Sequence, residues 1–326
     1  MIIARAPFRV SFFGGGSDLS AFYGKSTGAV LSTTIDRYMY LSVHPYFDAS
    51  KIHIKYSQVE LADSLAEVRH PIVRRVMERV GVQGGVEITS TADVPAGTGL
   101  GSSSAFTVGL LNLMYAYTGR HVSVERLAKE ACEIEIQDLG APIGKQDQYA
   151  SACGGLNFIR FFADESVDVA PLVLSPECRE ALQSCLLMIY TGEQRSASAV
   201  LLEQRNAMSD QAKFEAVRRL VDFAYQGKAL LEAGDVPAFG KLLHDAWLIK
   251  RSLTGSVSTS AIDGLYDAVM NAGAWGGKVL GAGGGGFLLV AAPPSAHDAI
   301  RAATSASLSF GVQLERGGTK IVYMSS

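Results

Sequence analysis

The stretch PAGTGLGSSSAF, residues Pro95 to Phe106, sets three glycines and three serines directly ahead of an apolar run that ends at Tyr117. Gly97, Gly99 and Gly101 permit positive φ and leave room for another molecule to approach the backbone. Ser102, Ser103 and Ser104 are natural helix N-caps. The following residues, AFTVGLLNLMYAY, are apolar nearly all round, which predicts a buried helix. A buried helix N-terminus presents unpaired N–H groups and the positive end of a dipole, and both suit a phosphate. Hydroxyls beside it could hold Mg²⁺. A glycine turn closed by a serine cap is the plainer reading, and these residues alone leave both open.

Two other glycine motifs fail on inspection. GKST, Gly24 to Thr27, ends like a Walker phosphate loop, but Leu19 stands where the first glycine is required. GAGGGG, Gly281 to Gly286, formally matches a dinucleotide fingerprint, yet FLLVAAPP follows it as a strand where that fold requires a helix. Three further stretches carry reactive residue types. APFRVSFFGGGSDL (Ala6 to Leu19) joins Arg9 to a glycine turn and Asp18; GAPIGKQDQYAS (Gly140 to Ser151) sets Asp147 in a loop with Gly144 and Lys145; KVLGAGGGGFLLV offers a flat glycine surface. Taken alone, Asp147 is an ordinary loop carboxylate.

The elements that must position these residues are mixed. YMYLSVHPY, GVEITSTADV, GGLNFIRFF and LLMIYTG have the β-branched and aromatic content of strands. PIVRRVMERV, Ser102 to Tyr117, and the serine-capped run from Val122 to Gly140 read as helices. Ser196 to Ile249 is mostly helical with a break at EAGDVPAF, and SAIDGLYDAVMNAGA adds another helix. A strand, the glycine loop, a second strand, a helix over Ser295 to Thr304 and two short strands close the chain. ADESVDVAPLVLSPE is polar and loop-like, so we expect two α+β domains, 1–175 and 176–326, with a site in the cleft between them.

The bulk numbers narrow the function further. The chain has 326 residues, 29 Lys+Arg against 32 Asp+Glu, and a formal charge of −3 with no block of like charges. That predicts neither a nucleic-acid partner nor a membrane surface, and acidic ligands must be met by local arrangements. No apolar run approaches the roughly 18 residues of a membrane span. Arg5 and Pro7 interrupt the segment where a secretory signal would be apolar, and the four cysteines form no C-x-x-C pair. A cytoplasmic protein with reduced thiols is expected.

Together, APFRVSFFGGGSD, PAGTGLGSSSA and KVLGAGGGGF resemble the three motifs of the GHMP kinases, in the family's order and over almost the whole chain. The resemblance implies a two-domain fold with ATP and Mg²⁺ between the lobes. Pro95, Gly97, Thr98, Gly99, Leu100, Gly101, Ser102, Ser103 and Ser104 would wrap the triphosphate, and Ser103 with Glu135 would hold Mg²⁺. Glu133 competes for that role, but two residues away on a helix it points elsewhere. Asp147 would accept or orient the proton of the attacking hydroxyl, and Arg9 would pair with it and stabilise transferring charge.

For the acceptor, Gly15, Gly16, Ser17 and Asp18 match the family's sugar-binding turn, with Gly283 and Gly284 as a floor. Galactokinases carry a glutamate where this chain has Gly15, and its loss removes a charge that would repel a phosphate. Within the family the pattern is most similar to the branch that phosphorylates the anomeric hydroxyl of D-glycero-D-manno-heptose 7-phosphate. Lys145, which could equally serve catalysis, and Arg195 are then candidates to meet the acceptor's phosphate, with Arg69 and His70 weaker. The alternatives are a fucokinase-like enzyme for a free sugar and a non-catalytic sugar and ATP sensor.

Overall fold

The computed structural model describes residues 1–193, 197–304 and 308–325, so Arg195 lies outside the described residues. The chain begins with β1 (Ile2–Phe13), whose second half is buried on both faces, and the remaining strands build on it. A nine-stranded sheet joins β1 to β2 (Gly28–Pro45), β3 (Ile52–Lys55), β4 (Val59–Ala62), β5 (Val86–Ala92), β6 (Leu156–Phe161) and β7 (Val167–Pro171). A four-stranded sheet contains β8 (Leu186–Tyr190), β9 (Gly276–Val279), β10 (Phe287–Ala291) and β11 (Ser309–Gly311), in the order β11-β8-β10-β9. The chain then returns: β12 (Leu314–Glu315) pairs with β2 and β13 (Lys320–Met324) with β1, so both belong to the first sheet. Apart from that return, the strands of the first sheet lie within residues 2–171 and those of the second within residues 186–311.

The strand expected over Tyr38 to Tyr46 is the second half of β2, which is 18 residues long. Its first half pairs with β6 and its second with β5, so one strand serves two ladders. The β1–β2 register shifts between Pro7 and Arg9 and again between Ser11 and Phe13. Such irregularities re-aim side chains, and here they flank the two residues of β1 that reach the cavity described below.

The helix Ser102–Tyr117 is apolar on every side because it is buried on almost every side, with Ser104 to Leu111 all buried. A Cβ at Gly109 would lie 2.7 Å from Leu41 Cδ1, so glycine is what lets this helix settle onto the sheet. Between residues 122 and 140 the expected helix exists as Val124–Cys132 but widens into a π-turn over Glu133–Asp138. The helical region from residue 197 comprises Ala197–Ala207, Gln211–Glu232 and Val236–Arg251. Its packing joins the halves: Phe12 and Phe13 of β1 meet Phe239 edge-on at 5.1 and 5.2 Å. Gly227 admits the Phe13 ring, which a Cβ there would overlap at 2.4 Å. All four cysteines are free thiols. Among the described residues, no helix is long and apolar enough to cross a membrane.

Candidate active site

A cavity of about 990 Å³ opens between the halves. Arg9, Asp18, Ser103, Glu135 and Asp147 line it from the first, and Gln204, Lys250, Lys278 and Gly281 from the second.

Its central feature is a fork-to-fork pair. Arg9 Nε donates to Asp147 Oδ1 and Nη2 to Oδ2, both at 2.7 Å. The remaining arm, Nη1, donates to the Gly99 carbonyl at 2.5 Å. Arg9 is buried on β1, and Asp147 stands in the first turn of the helix Gln146–Cys153. Each carboxylate oxygen has two lone-pair directions, so the guanidinium occupies one of each and leaves the others for a hydroxyl.

The glycine loop meets this pair edge-on. Gly97, Gly99 and Gly101 have φ of 77°, 81° and 74°, so the alternate glycines supply the positive-φ positions that curve the loop. Gly101 is the N-cap of the helix Ser102–Tyr117, and no side chain caps it, which leaves the first-turn N–H groups facing the cavity. The third glycine motif backs the loop. A Cβ on Gly286 would lie 2.4 Å from the Thr98 carbonyl, and one on Gly281 would lie 2.7 Å from Gly99 Cα. The N–H of Phe287 donates to that Thr98 carbonyl at 3.3 Å.

Glu135 projects from the π-turn, is 2 % exposed, and accepts from Ser103 Oγ at 2.6 Å and Gln148 Nε2 at 2.8 Å. Burial raises its pKa, and the serine and glutamine hydrogen bonds oppose that rise. Glu133 instead pairs with Arg79. Among the described residues no three of His, Cys, Asp or Glu cluster as a metal cage. Magnesium does not require one: it takes oxygen donors, few of them from protein, and completes its shell with phosphate oxygens and water. A buried carboxylate hydrogen-bonded to a serine hydroxyl beside a phosphate-type loop fits that ion.

Asp18 is buried, accepts from the N–H groups of Gly16 at 3.1 Å and Gln146 at 3.3 Å, and has a pKa pushed up to about 6, chiefly by burial and then by the charge of Asp147. Gly144 leaves the space its carboxylate fills: a Cβ there would lie 2.0 Å from Oδ2. Gly15 and Gly16 line the cavity.

Other expected site residues turn away. Lys145 pairs with Glu165, donates to its carbonyl at 3.0 Å and lies 4.8 Å from the centre of the Tyr23 ring, outside the cavity lining. As the N-cap of the helix that carries Asp147, it is two residues, about 200° of helix, from it. Ser17 is buried against Gly14 and Ala29, to whose carbonyls its hydroxyl donates. Gly283 and Gly284 face Val257, whose carbonyl accepts from the Gly284 N–H at 2.8 Å, and neither lines the cavity. Thr98 and Leu100 point behind the loop: Thr98 Oγ1 donates to Pro95, and the Leu100 carbonyl accepts from the Arg9 N–H at 3.1 Å. Arg69 lies 3.8 Å from Glu60, whereas His70 reaches the cavity and stacks on Phe106 with centroids 4.9 Å apart.

Two cations were not foreseen. Lys250 and Lys278 are buried and line the cavity. Lys278 Nζ donates to the carbonyls of Ser11 and Phe12, each at 2.8 Å, and so ties β9 to β1. Burial drives its pKa well down, helped by Lys250 and Arg9.

A cradle of N–H groups, a fixed Arg–Asp pair and a carboxylate beside a serine hydroxyl define a phosphoryl-transfer enzyme, with one lobe supplying most of the machinery and the other closing over it. Two family patterns match the chain, the GHMP kinases N terminal domain over residues 66–155 and the GHMP kinases C terminal domain over residues 228–308. The chain belongs to the GHMP kinase family, whose members take ATP as phosphoryl donor. It is similar to the D-glycero-alpha-D-manno-heptose 7-phosphate kinase of Campylobacter jejuni, 28 % identical with 90 % of each chain covered. It is also 28 % identical to the bifunctional fucokinase/GDP-fucose pyrophosphorylase of Arabidopsis thaliana, over 88 % of this chain and 29 % of that one. Among solved structures, a D-glycero-D-manno-heptose 1-phosphate kinase from Bacteroides thetaiotaomicron superposes with a TM-score of 0.83 at 26 % identity over the full length of both.

Proposed function

We propose that this kinase transfers the γ-phosphoryl group of ATP to the anomeric hydroxyl of D-glycero-D-manno-heptose 7-phosphate, giving the 1,7-bisphosphate. The Arg9–Asp147 pair at the lip of the glycine loop carries the reaction type. The acceptor hydroxyl lies on the free lone pairs of Asp147. Its oxygen bonds to the γ-phosphorus as the bond from that phosphorus to the bridging oxygen breaks. The hydroxyl proton passes to Asp147, and the electron pair of the broken bond leaves with ADP. Ser103 and Glu135 would hold Mg²⁺, which when bound neutralises charge on the phosphates. Gly97 to Ser104 cradle the triphosphate with backbone N–H groups, and Asp18 accepts hydrogen bonds from the sugar.

Support for a phosphorylated heptose comes from the names of two relatives and from Gly15. A Cβ on Gly15 would meet nothing within 4 Å, and its φ is not in the left-handed region, so the backbone does not demand glycine. The missing side chain leaves space, and no charge, at the acceptor's end. The relatives differ over which phosphate the heptose already carries. One observation favours a second reading, a free-sugar anomeric kinase: Lys145, expected to meet the acceptor's phosphate, is held by Glu165.

The test is ATP consumption with Mg²⁺ and purified protein, comparing heptose 7-phosphate, heptose 1-phosphate, unphosphorylated mannoheptose, fucose and galactose. Turnover confined to the 7-phosphate is the expected result. Turnover with a free sugar alone would overturn the phosphorylated acceptor and leave the transfer centre intact.

A further inference from the structure

Lys250 sits in the last turn of the helix Val236–Arg251, a position where lysine ordinarily reaches solvent and complements the helix dipole. Here it is only 5 % exposed and points into the cavity. Its Nζ donates to the Gly281 carbonyl at 2.5 Å, and among the described residues no carboxylate lies within 4.0 Å of it. An ammonium has three donors, so two remain for another partner. A buried cation without an anion is costly, and a fold that keeps one beside a phosphate loop keeps it for a bound anion.

The position selects which anion. Gly281, whose carbonyl Lys250 holds, packs directly against Gly99, whose carbonyl Arg9 holds. Lys250 and Arg9 therefore anchor on the two sides of one glycine–glycine contact, where the phosphate loop meets the guanidinium that holds Asp147. Arg9 is already neutralised by Asp147, whereas Lys250 is not.

We propose that Lys250 is a further catalytic residue, a cation from the second lobe that grips the γ-phosphoryl group in flight, opposite Arg9. As the acceptor oxygen–phosphorus bond forms and the bond to ADP breaks, charge spreads over the three non-bridging oxygens. Lys250 donates to them without itself gaining or losing a proton. The charged groups facing it are Arg9 on β1, Lys278 on β9, Asp18 in the glycine turn and Asp147. Burial lowers its pKa to about 8, with Arg9 adding to the fall and the two aspartates opposing it.

The experiment compares wild type with Lys250→Met and Lys250→Arg, using Mg-ATP and heptose 7-phosphate. This rests on the acceptor proposed above, so the slow hydrolysis of Mg-ATP without sugar is a second arm in which water takes the phosphoryl group. If wild type turns over no heptose 7-phosphate, the acceptor reading fails and the hydrolysis arm decides the role of Lys250. Lys250→Met should lower the transfer rate by about 10² to 10³-fold, as loss of one donor to a developing charge does elsewhere. ATP affinity, measured by calorimetry, should change far less. The wild-type profile of kcat/KM should fall above about pH 8, and Lys250→Arg, with its much higher pKa, should lose that fall. A Lys250→Met rate within about threefold of wild type, or the same alkaline fall in Lys250→Arg, overturns the proposal. If Lys250→Met does not fold, the pH profile of Lys250→Arg alone decides it.

Discussion

Replacing Asp18 with asparagine removes a carboxylate that the fold buries near the charge of Asp147. Its pKa rises from 3.8 to about 6 on folding. Two units correspond to about 3 kcal/mol of differential stability. The sign follows from where the protons sit: between the two values the folded state binds more protons than the unfolded chain, so stability falls as pH rises. The cost is absent below pH 3.8 and complete above about pH 6. Asparagine escapes that cost but keeps only one acceptor oxygen, whereas the Gly16 and Gln146 N–H groups reach different carboxylate oxygens. One mispaired donor costs about 1 kcal/mol. Asp18→Asn should therefore be more stable than wild type by about 1–2 kcal/mol near pH 7.5. That gain should shrink towards about pH 5 and reverse below about pH 4. Urea unfolding of both proteins across this range measures it. Turnover should fall, because the same carboxylate is our sugar ligand, a trade of stability for function. A variant less stable than wild type at pH 7.5, or a difference independent of pH, would refute the reasoning.

Three other substitutions separate the roles assigned here. Gly286→Ala forces a Cβ to 2.4 Å from the Thr98 carbonyl at a φ of 87°, so it should cost about 3 kcal/mol or more in thermal unfolding and raise KM for ATP by disturbing the phosphate loop. Gly15→Glu enters open space and should leave the melting temperature unchanged, while cutting kcat/KM for heptose 7-phosphate at least about tenfold through charge repulsion and sparing any unphosphorylated sugar. Glu135→Gln removes the buried carboxylate hydrogen-bonded to Ser103, and a magnesium titration of activity should shift to concentrations at least about tenfold higher; an unshifted titration excludes Glu135 as a ligand.

How much of this could be read from the sequence differs from residue to residue. The phosphate-type loop was legible because its signals are local: positive-φ glycines and a helix apolar all round; the serines expected to cap that helix lie inside its first turn, and Gly101 is the N-cap. The preference for Glu135 over Glu133 came from the likeness of EIQDLGAPIGKQDQ to the galactokinase segment; helical spacing says only that the two point apart, and the structure pairs Glu133 with Arg79. Lys145 misled because nearness in sequence to Asp147 is not nearness in space, and the start of a helix turns the two apart. Lys250 resembled an ordinary cation at a helix end, and Lys278 a strand residue between glycines and valine. Tertiary contacts set both: Lys278 donates across to Ser11 and Phe12 of β1, and Lys250 to the Gly281 carbonyl. The return of β12 and β13 to the first sheet was equally hidden, because strands so short and so distant from their partners leave no local pattern.

The central claim is that Asp147, held by Arg9, acts on the acceptor hydroxyl and does not bind ATP. Its most direct test is Asp147→Asn, with ATP binding followed by calorimetry and transfer followed by ADP release on the same preparation. The account predicts ATP affinity close to wild type with turnover reduced by at least about 10²-fold. Loss of ATP binding together with turnover, or turnover near wild type, would contradict it.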